Sequence, residues 1–152
     1  MALIPGFSSL HDVFDKLRRD KATLDDEVTS DALFNFVITG YSMIDWVKKD
    51  PSIPVSAKAN SVVQALYNDR WLKVCGDLAT AAKHFSLTSR IPITGSTTSK
   101  RGFGVGRYDA GGYGAGEESI EIKLNDGTIY NCLDLVKGVV STWDTFFSTH
   151  EI

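Results

Sequence analysis

The stretch that decides the fold is Trp71-Leu72-Lys73-Val74-Cys75-Gly76-Asp77-Leu78-Ala79-Thr80-Ala81-Ala82-Lys83-His84-Phe85. Its apolar residues recur at intervals of three and four, as they do in a helix that buries one face: Val74, Cys75, Leu78, Ala81, Ala82 and Phe85. Its polar residues recur at the same spacing and share another face: Lys73, Asp77, Thr80 and His84. The stretch therefore predicts an amphipathic helix with a polar stripe.

Other helices are predicted on both sides of this stretch. Ser8 or Ser9 can cap a first helix, and the apolar residues over 31–48 cover most of the circumference of a second one. A helix of that kind is predicted to be central, and Gly40 in its middle indicates close packing by a neighbouring helix. Ser56 is predicted to cap a third helical segment. The next helix then begins at Asn68 or Asp69.

The character of the chain changes after residue 88. Eight of the 13 glycines lie between residues 95 and 116, and the segment 89–116 has no helical period, which predicts short edge strands or an irregular loop. A β-hairpin is predicted over residues 120–130. Apolar and charged residues alternate over 120–124, turn residues follow at 125–127, and a second short strand is predicted at 128–130.

The predicted fold is α+β, a mainly helical bundle of three to five helices in a single domain, 1–152. Its parts are a helical region at 8–88, a Gly-rich loop with a small antiparallel β-hairpin at 89–131, and a closing helix at 132–148.

The composition narrows the function classes. The net charge of −3 excludes a strongly basic nucleic-acid footprint over the whole chain, although a local basic patch is compatible with it. Two cysteines without a CxxC spacing and three histidines do not favour a zinc site, so we expect no metal and no cofactor. The longest apolar stretch, within 32–47, is interrupted by polar residues. We therefore expect a cytoplasmic protein with no membrane span.

The Gly-rich segment is open to three interpretations. A dinucleotide fingerprint needs GxGxxG at the start of a helix, but Arg107 stands at the third glycine position and the segment leads to a hairpin. A binding arm for protein or nucleic acid is the second interpretation, because cations alternate with aromatic rings: Lys100, Arg101, Phe103, Arg107, Tyr108 and Tyr113. The third is a surface hairpin whose aromatic rings pack on the helices.

The polar stripe of the 71–85 helix also has three interpretations. His84 could act as a general acid or base, with Asp77 or Lys83 as catalytic companions, because its reference pKa near 6.5 suits proton transfer. The stripe could instead orient a ligand, with Lys73 and Thr80 among the binding residues. Lys83 and His84 could also be purely structural, since cations are stabilised at the C-terminal end of a helix.

The order of helices and the Lys83-His84 ending resemble the HEPN superfamily of small bacterial helical bundles over residues 8–88 and the last helix. Many HEPN proteins are ribonucleases of toxin–antitoxin and phage-defence systems, and others bind nucleotides or partners without catalysis. The superfamily motif is an arginine, four to six residues, and then a histidine. The matching histidine would be His84, but the positions five to seven residues before it hold Asp77, Leu78 and Ala79 rather than arginine.

We therefore predict a non-catalytic binding or regulatory module, with a protein partner or a second copy of the chain as its partner. The resemblance implies a mobile-element, phage-conflict or toxin–antitoxin setting. The alternative is a HEPN-like, metal-independent ribonuclease centred on His84. Contact with nucleic acid through Lys100, Arg101 and Arg107 also remains open.

Overall fold

The computed structural model describes residues 3–87, 90–101 and 118–152. These residues form five α-helices and a three-stranded antiparallel sheet, which confirms the predicted α+β, mainly helical fold. The helices are α1 (Leu10–Asp26), α2 (Ser30–Lys49), α3 (Asn60–Asn68), α4 (Arg70–His84) and α5 (Cys132–His150).

Two helices begin at predicted capping side chains. Ser9 caps α1 in a capping box with Asp12, and Asp69 caps α4. The prediction for Ser56 is wrong. Residues Val55–Lys58 form a 3-10 turn, and α3 starts at Asn60 with no capping side chain before it. Ala59 has an extended backbone with a ψ of 144°, which separates the 3-10 turn from α3 where one continuous helix was expected.

Helices α2, α4 and α5 meet at Gly40. A Cβ atom at this position would lie 3.1 Å from Val139 and 3.3 Å from Cys75, so the predicted close packing is confirmed. The indole Nε1 of Trp143 donates a hydrogen bond of 3.1 Å to the carbonyl oxygen of Gly40. The smallest residue of α2 therefore marks the centre of the core.

Helix α2, which was predicted to be central, is less buried than α5. Ten of the 19 residues of α5 are buried, against nine of the 20 residues of α2. The reason is that α2 keeps a solvent-facing side, on which Phe34 is 47% exposed. Helix α5 packs against α1, α2, α4 and the sheet.

The sheet has the order β1-β2-β3, with β1 (Thr94–Arg101), β2 (Glu118–Leu124) and β3 (Ile129–Asn131). The predicted β2–β3 hairpin is confirmed, and Gly127 takes a φ of +90° in its turn, where a side chain would be strained. Strand β1 occupies part of the predicted Gly-rich loop. None of the described helices is both long enough and apolar enough to cross a membrane.

Candidate functional site

The polar stripe of α4 does not form one solvent-facing surface. Asp77 is only 1% exposed, whereas Lys83 and His84 are exposed at the end of the helix. Lys73 and Thr80 are half-buried. The stripe therefore divides into a buried acid, two half-buried residues and an exposed basic end.

Asp77 ties α4 to the start of the sheet. Its Oδ2 accepts hydrogen bonds from the backbone N–H groups of Ile93 and Thr94, both at 3.0 Å. Its Oδ1 lies 3.0 Å from Nε of Arg90, an ion-pair distance, although the N–H direction is too oblique for a hydrogen bond. A buried carboxylate needs such partners, because an unpaired one would carry a large desolvation cost.

The structure does not bring Asp77 and His84 together. Within residues 3–87, 90–101 and 118–152, the polar contacts of Asp77 go to Arg90, Ile93 and Thr94. The carboxylate is therefore engaged in holding the fold and does not orient the imidazole. A catalytic role for His84 or Lys83 stays a prediction.

Arg90 is the member of this cluster that sequence reasoning missed. It donates to the hydroxyl of Tyr41 at 3.0 Å and to the carbonyl oxygen of Lys73 at 3.4 Å. Gly76 makes room for it, since a Cβ atom there would lie 2.5 Å from the Tyr41 ring and 2.8 Å from the guanidinium. The sequence signal for this close approach was Gly76 itself, a glycine within an otherwise regular helical stretch.

Strand β1 lies at an edge of the sheet, as far as the described strands show. Its register places Thr97 opposite Ile122 and Ser99 opposite Ile120, so these two β1 residues are on the side of the sheet that faces the helices. Ile120 and Ile122 are buried there, but Thr97 and Ser99 are exposed. The strand therefore extends beyond the helical layer that covers β2.

A groove of about 290 Å³ runs between this strand and the helices. We call it the β1 groove. Its apolar lining comes from α2, α4 and β2: Leu33, Phe34, Val37, Leu78, Ala82 and Ile120. Its polar lining is Ser30, Thr97, Thr98 and Ser99.

The predicted binding arm is only partly described. Lys100 is exposed on β1, and Arg101 is the last residue of that strand. The remaining arm residues lie outside the described residues: Phe103, Arg107, Tyr108 and Tyr113.

Neither cysteine is suited to nucleophilic chemistry. Complete burial raises the pKa of the Cys75 thiol far above its usual value, and burial raises the pKa of Cys132 to about 11. Both thiols therefore stay protonated at neutral pH, and the thiolate is the reactive form. Among the residues that the structure describes, no cluster of three His, Cys, Asp or Glu side chains could hold a metal ion.

Comparison of the chain with protein-family models, with curated proteins and with solved structures finds no match.

Proposed function

We propose that this protein is a non-catalytic binding module that takes up an extended segment of a partner protein along the outer edge of β1. The observation that carries the proposal is the eight-residue edge strand, whose residues from Gly95 to Lys100 are exposed beside the β1 groove. The segment would add a strand to the sheet and place an apolar side chain in the groove.

An open strand edge supports this function because it offers unpaired backbone N–H and C=O groups. Proteins usually protect such an edge with proline, a bulge or inward-pointing charges. Strand β1 has no proline, and its register irregularity lies at its start, between Thr94 and Ser96. No described strand pairs with the outer edge of β1 along most of its length.

The charges near the groove favour an acidic segment. Strand β1 carries the exposed Lys100 and no acidic residue, and the Glu118 carboxylate at the start of β2 is buried and accepts hydrogen bonds from the groove residues Ser30 and Ser99. Lys83, which follows the groove residue Ala82 in α4, is exposed as well. A partner segment that alternates apolar residues with Asp or Glu would complement both the groove and its basic surroundings.

The position of Asp77 supports the proposal that the module is non-catalytic. Its carboxylate is buried and holds Arg90 and the start of β1. The polar stripe of α4 therefore lacks the acid–base pair that its spacing suggested.

Selection of peptides from a random extended-peptide library on the immobilised protein tests the proposal. We expect enrichment of acidic sequences with apolar residues at every second position. Phe34→Ser, which removes an aromatic wall of the β1 groove, should weaken binding of the selected peptide by tenfold or more. Thr98→Pro should weaken it too, because proline disturbs a strand and cannot donate a hydrogen bond.

Phe85→Ser is the matched control, because Phe85 is an exposed phenylalanine that does not line the groove. It should leave the affinity unchanged. Peptide binding that survives Phe34→Ser, or no enrichment at all, would contradict the proposal. A dimer that Thr98→Pro dissociates would identify a second copy as the occupant of the edge.

The ribonuclease stays the alternative function, because His84 and Lys83 are both exposed at the end of α4, where RNA could reach them. In that case a second protomer could supply the arginine. RNA cleavage that is lost in His84→Ala without a change in melting temperature would favour it. The mobile-element, phage-conflict or toxin–antitoxin setting rests on the HEPN resemblance alone.

A further inference from the structure

A second cleft lies away from the β1 groove, between α2, α3, α4 and the segment that leads into β1. Its volume is about 220 Å³. It is lined by five polar residues and two isoleucines: Tyr41, Tyr67, Lys73, Asp77, Arg90, Ile91 and Ile93. We call it the tyrosine cleft.

The polar groups of the tyrosine cleft are mainly hydrogen-bond donors. The hydroxyl of Tyr41 accepts from Arg90 at 3.0 Å, and the hydroxyl of Tyr67 accepts from Lys48 at 2.9 Å. Each phenol oxygen is thus already an acceptor, and each O–H proton is left without a partner among the described residues. Both protons can be donated to a ligand.

The cations add further donors. A guanidinium has five N–H groups, and Arg90 donates to Tyr41 and to the carbonyl oxygen of Lys73 while its charge is paired with Asp77. Its side chain is 22% exposed, so the remaining N–H groups can be reached. The ammonium of Lys73 forms no ion pair with any described residue.

The negative charge in the wall of the cleft is already paired with a cation. Asp77 is the carboxylate in its wall, and its charge is matched by Arg90. The charge of Lys73 is therefore in excess. A ligand that satisfies donors on four residues and one excess positive charge must be rich in acceptors and anionic.

The size of the tyrosine cleft restricts the ligand further. At about 220 Å³ the cleft is smaller than the roughly 300 Å³ at which typical small-molecule pockets begin, so it suits a small ligand or a single group of a larger one. A phosphate group has three or four acceptor oxygens arranged in different directions, which suits donors on separate walls. A carboxylate has its acceptor sites in a single plane, which suits donors on separate walls less well.

We propose that the tyrosine cleft is a binding site for the phosphate group of a small ligand, held by Lys73, Arg90 and the two tyrosine hydroxyls. The site is independent of the β1 groove and of the function proposed for it.

Calorimetric titration with inorganic phosphate and with phenyl phosphate, at constant ionic strength, tests this site. We expect at least one of the two probes to bind. A higher affinity for the ester would assign the site to a phosphate monoester, and an equal or higher affinity for inorganic phosphate would assign it to free phosphate. Lys73→Gln should weaken binding by tenfold or more, and Tyr67→Phe should weaken it severalfold.

Two controls separate this site from general charge effects and from misfolding. Lys83→Gln removes an exposed lysine from the same helix and should leave binding unchanged. Lys73→Gln should keep the melting temperature of the free protein, because the Lys73 ammonium has no ion-pair partner among the described residues. Phe34→Ser should also keep phosphate binding, since Phe34 lies in the other groove. No binding of either probe, or an equal loss in Lys83→Gln, would overturn the proposal.

Discussion

At the scale of single residues, polar and small side chains in α4 and α5 hold the fold together. Asp77 accepts two backbone hydrogen bonds and pairs with Arg90 while almost completely buried. Its position in the polar stripe suggested chemistry, whereas its contacts show a structural connection between α4 and β1. The spacing of residues in a helix predicts which ones share a face but not what covers that face.

Asp77→Ala should lower the free energy of unfolding by about 3–5 kcal/mol, because it removes one partner of a buried pair and leaves Arg90 uncompensated. Asp77→Asn should cost less, since an amide oxygen can still accept from the backbone. Urea denaturation measures both, with the exposed Asp26→Ala as control. A loss of unfolding free energy below about 1 kcal/mol for Asp77→Ala would be typical of an exposed residue. It would show that the Asp77–Arg90 pair does not stabilise the fold.

Gly138 and Gly40 should respond differently to alanine. A Cβ atom at Gly138 would lie 2.2 Å from the Trp71 ring, whereas at Gly40 its nearest neighbour would be Val139 at 3.1 Å. Gly138→Ala should destabilise by about 2 kcal/mol, as overpacking of about 3 kcal/mol outweighs a gain of about 1 kcal/mol in helix propensity.

Gly40→Ala should stay within about 1 kcal/mol of the wild type, because its neighbours need to give by only a few tenths of an ångström. Thermal unfolding of the two variants side by side checks both predictions. Equal effects at the two positions would contradict the packing seen around Trp71.

At the scale of elements, the junctions between helices depend on a few carboxylates, and Asp50 is the most connected of them. Asp50 follows the end of α2. Its carboxylate accepts a hydrogen bond of 2.7 Å from the N–H of Leu10 at the start of α1, and it also accepts hydrogen bonds from the backbone N–H and the hydroxyl of Ser52. Burial alone would raise the pKa of Asp50. The hydrogen bonds from Ser52 and Leu10 and the charge of Lys58 outweigh that effect and hold its pKa below the usual value.

Asp50 should therefore make the free energy of unfolding decrease as the pH falls into the acidic range. A carboxyl whose pKa is lowered in the folded state contributes stability above its unfolded pKa of 3.8, and that contribution is lost as the pH falls through the folded pKa. Asp50→Asn should be less stable than the wild type at neutral pH, but it should lose less stability between about pH 5 and pH 2. Urea unfolding between about pH 5 and pH 2 gives the dependence of the unfolding free energy on pH for the wild type and for Asp50→Asn. The same pH dependence in both proteins would contradict the role of Asp50 in acid stability.

At the scale of the whole molecule, one continuous core joins the helices to β2. It includes residues from all five helices and from the inner face of the strand: among them Leu17, Phe36, Ile44, Leu72, Ile122, Leu135 and Trp143. The helices cover one face of the sheet at β2. They do not cover the same face along β1, because the layer of helices ends between these two strands. That uneven coverage creates the β1 groove.

Truncation of this core should be costly. Phe36→Ala or Ile44→Ala should lower the free energy of unfolding by about 2–5 kcal/mol, through lost burial and a residual cavity. Both side chains are at most 1% exposed. Phe34→Ala, at 47% exposure in the same helix, is the control and should cost far less. Urea denaturation of the three variants gives the ranking, and equal losses would contradict the buried position of Phe36.

The sequence by itself determined the helices, their caps at Ser9 and Asp69 and the β2–β3 hairpin. These depend on periodicity, capping and turn residues, which act between neighbours in the chain. Only the tertiary structure decided that β1 is a strand, because its Thr- and Ser-rich sequence has no apolar alternation and pairing with β2 defines it.

The tyrosine cleft and the β1 groove were likewise decided by tertiary structure. Tyr41 and Arg90 lie 49 residues apart and are joined by a hydrogen bond that no local pattern encodes. Phe34 matched the apolar pattern of a central helix and is nevertheless half exposed, because no element covers that side of α2 among the described residues. Burial depends on which surfaces meet, and that is a property of the assembled fold rather than of local sequence.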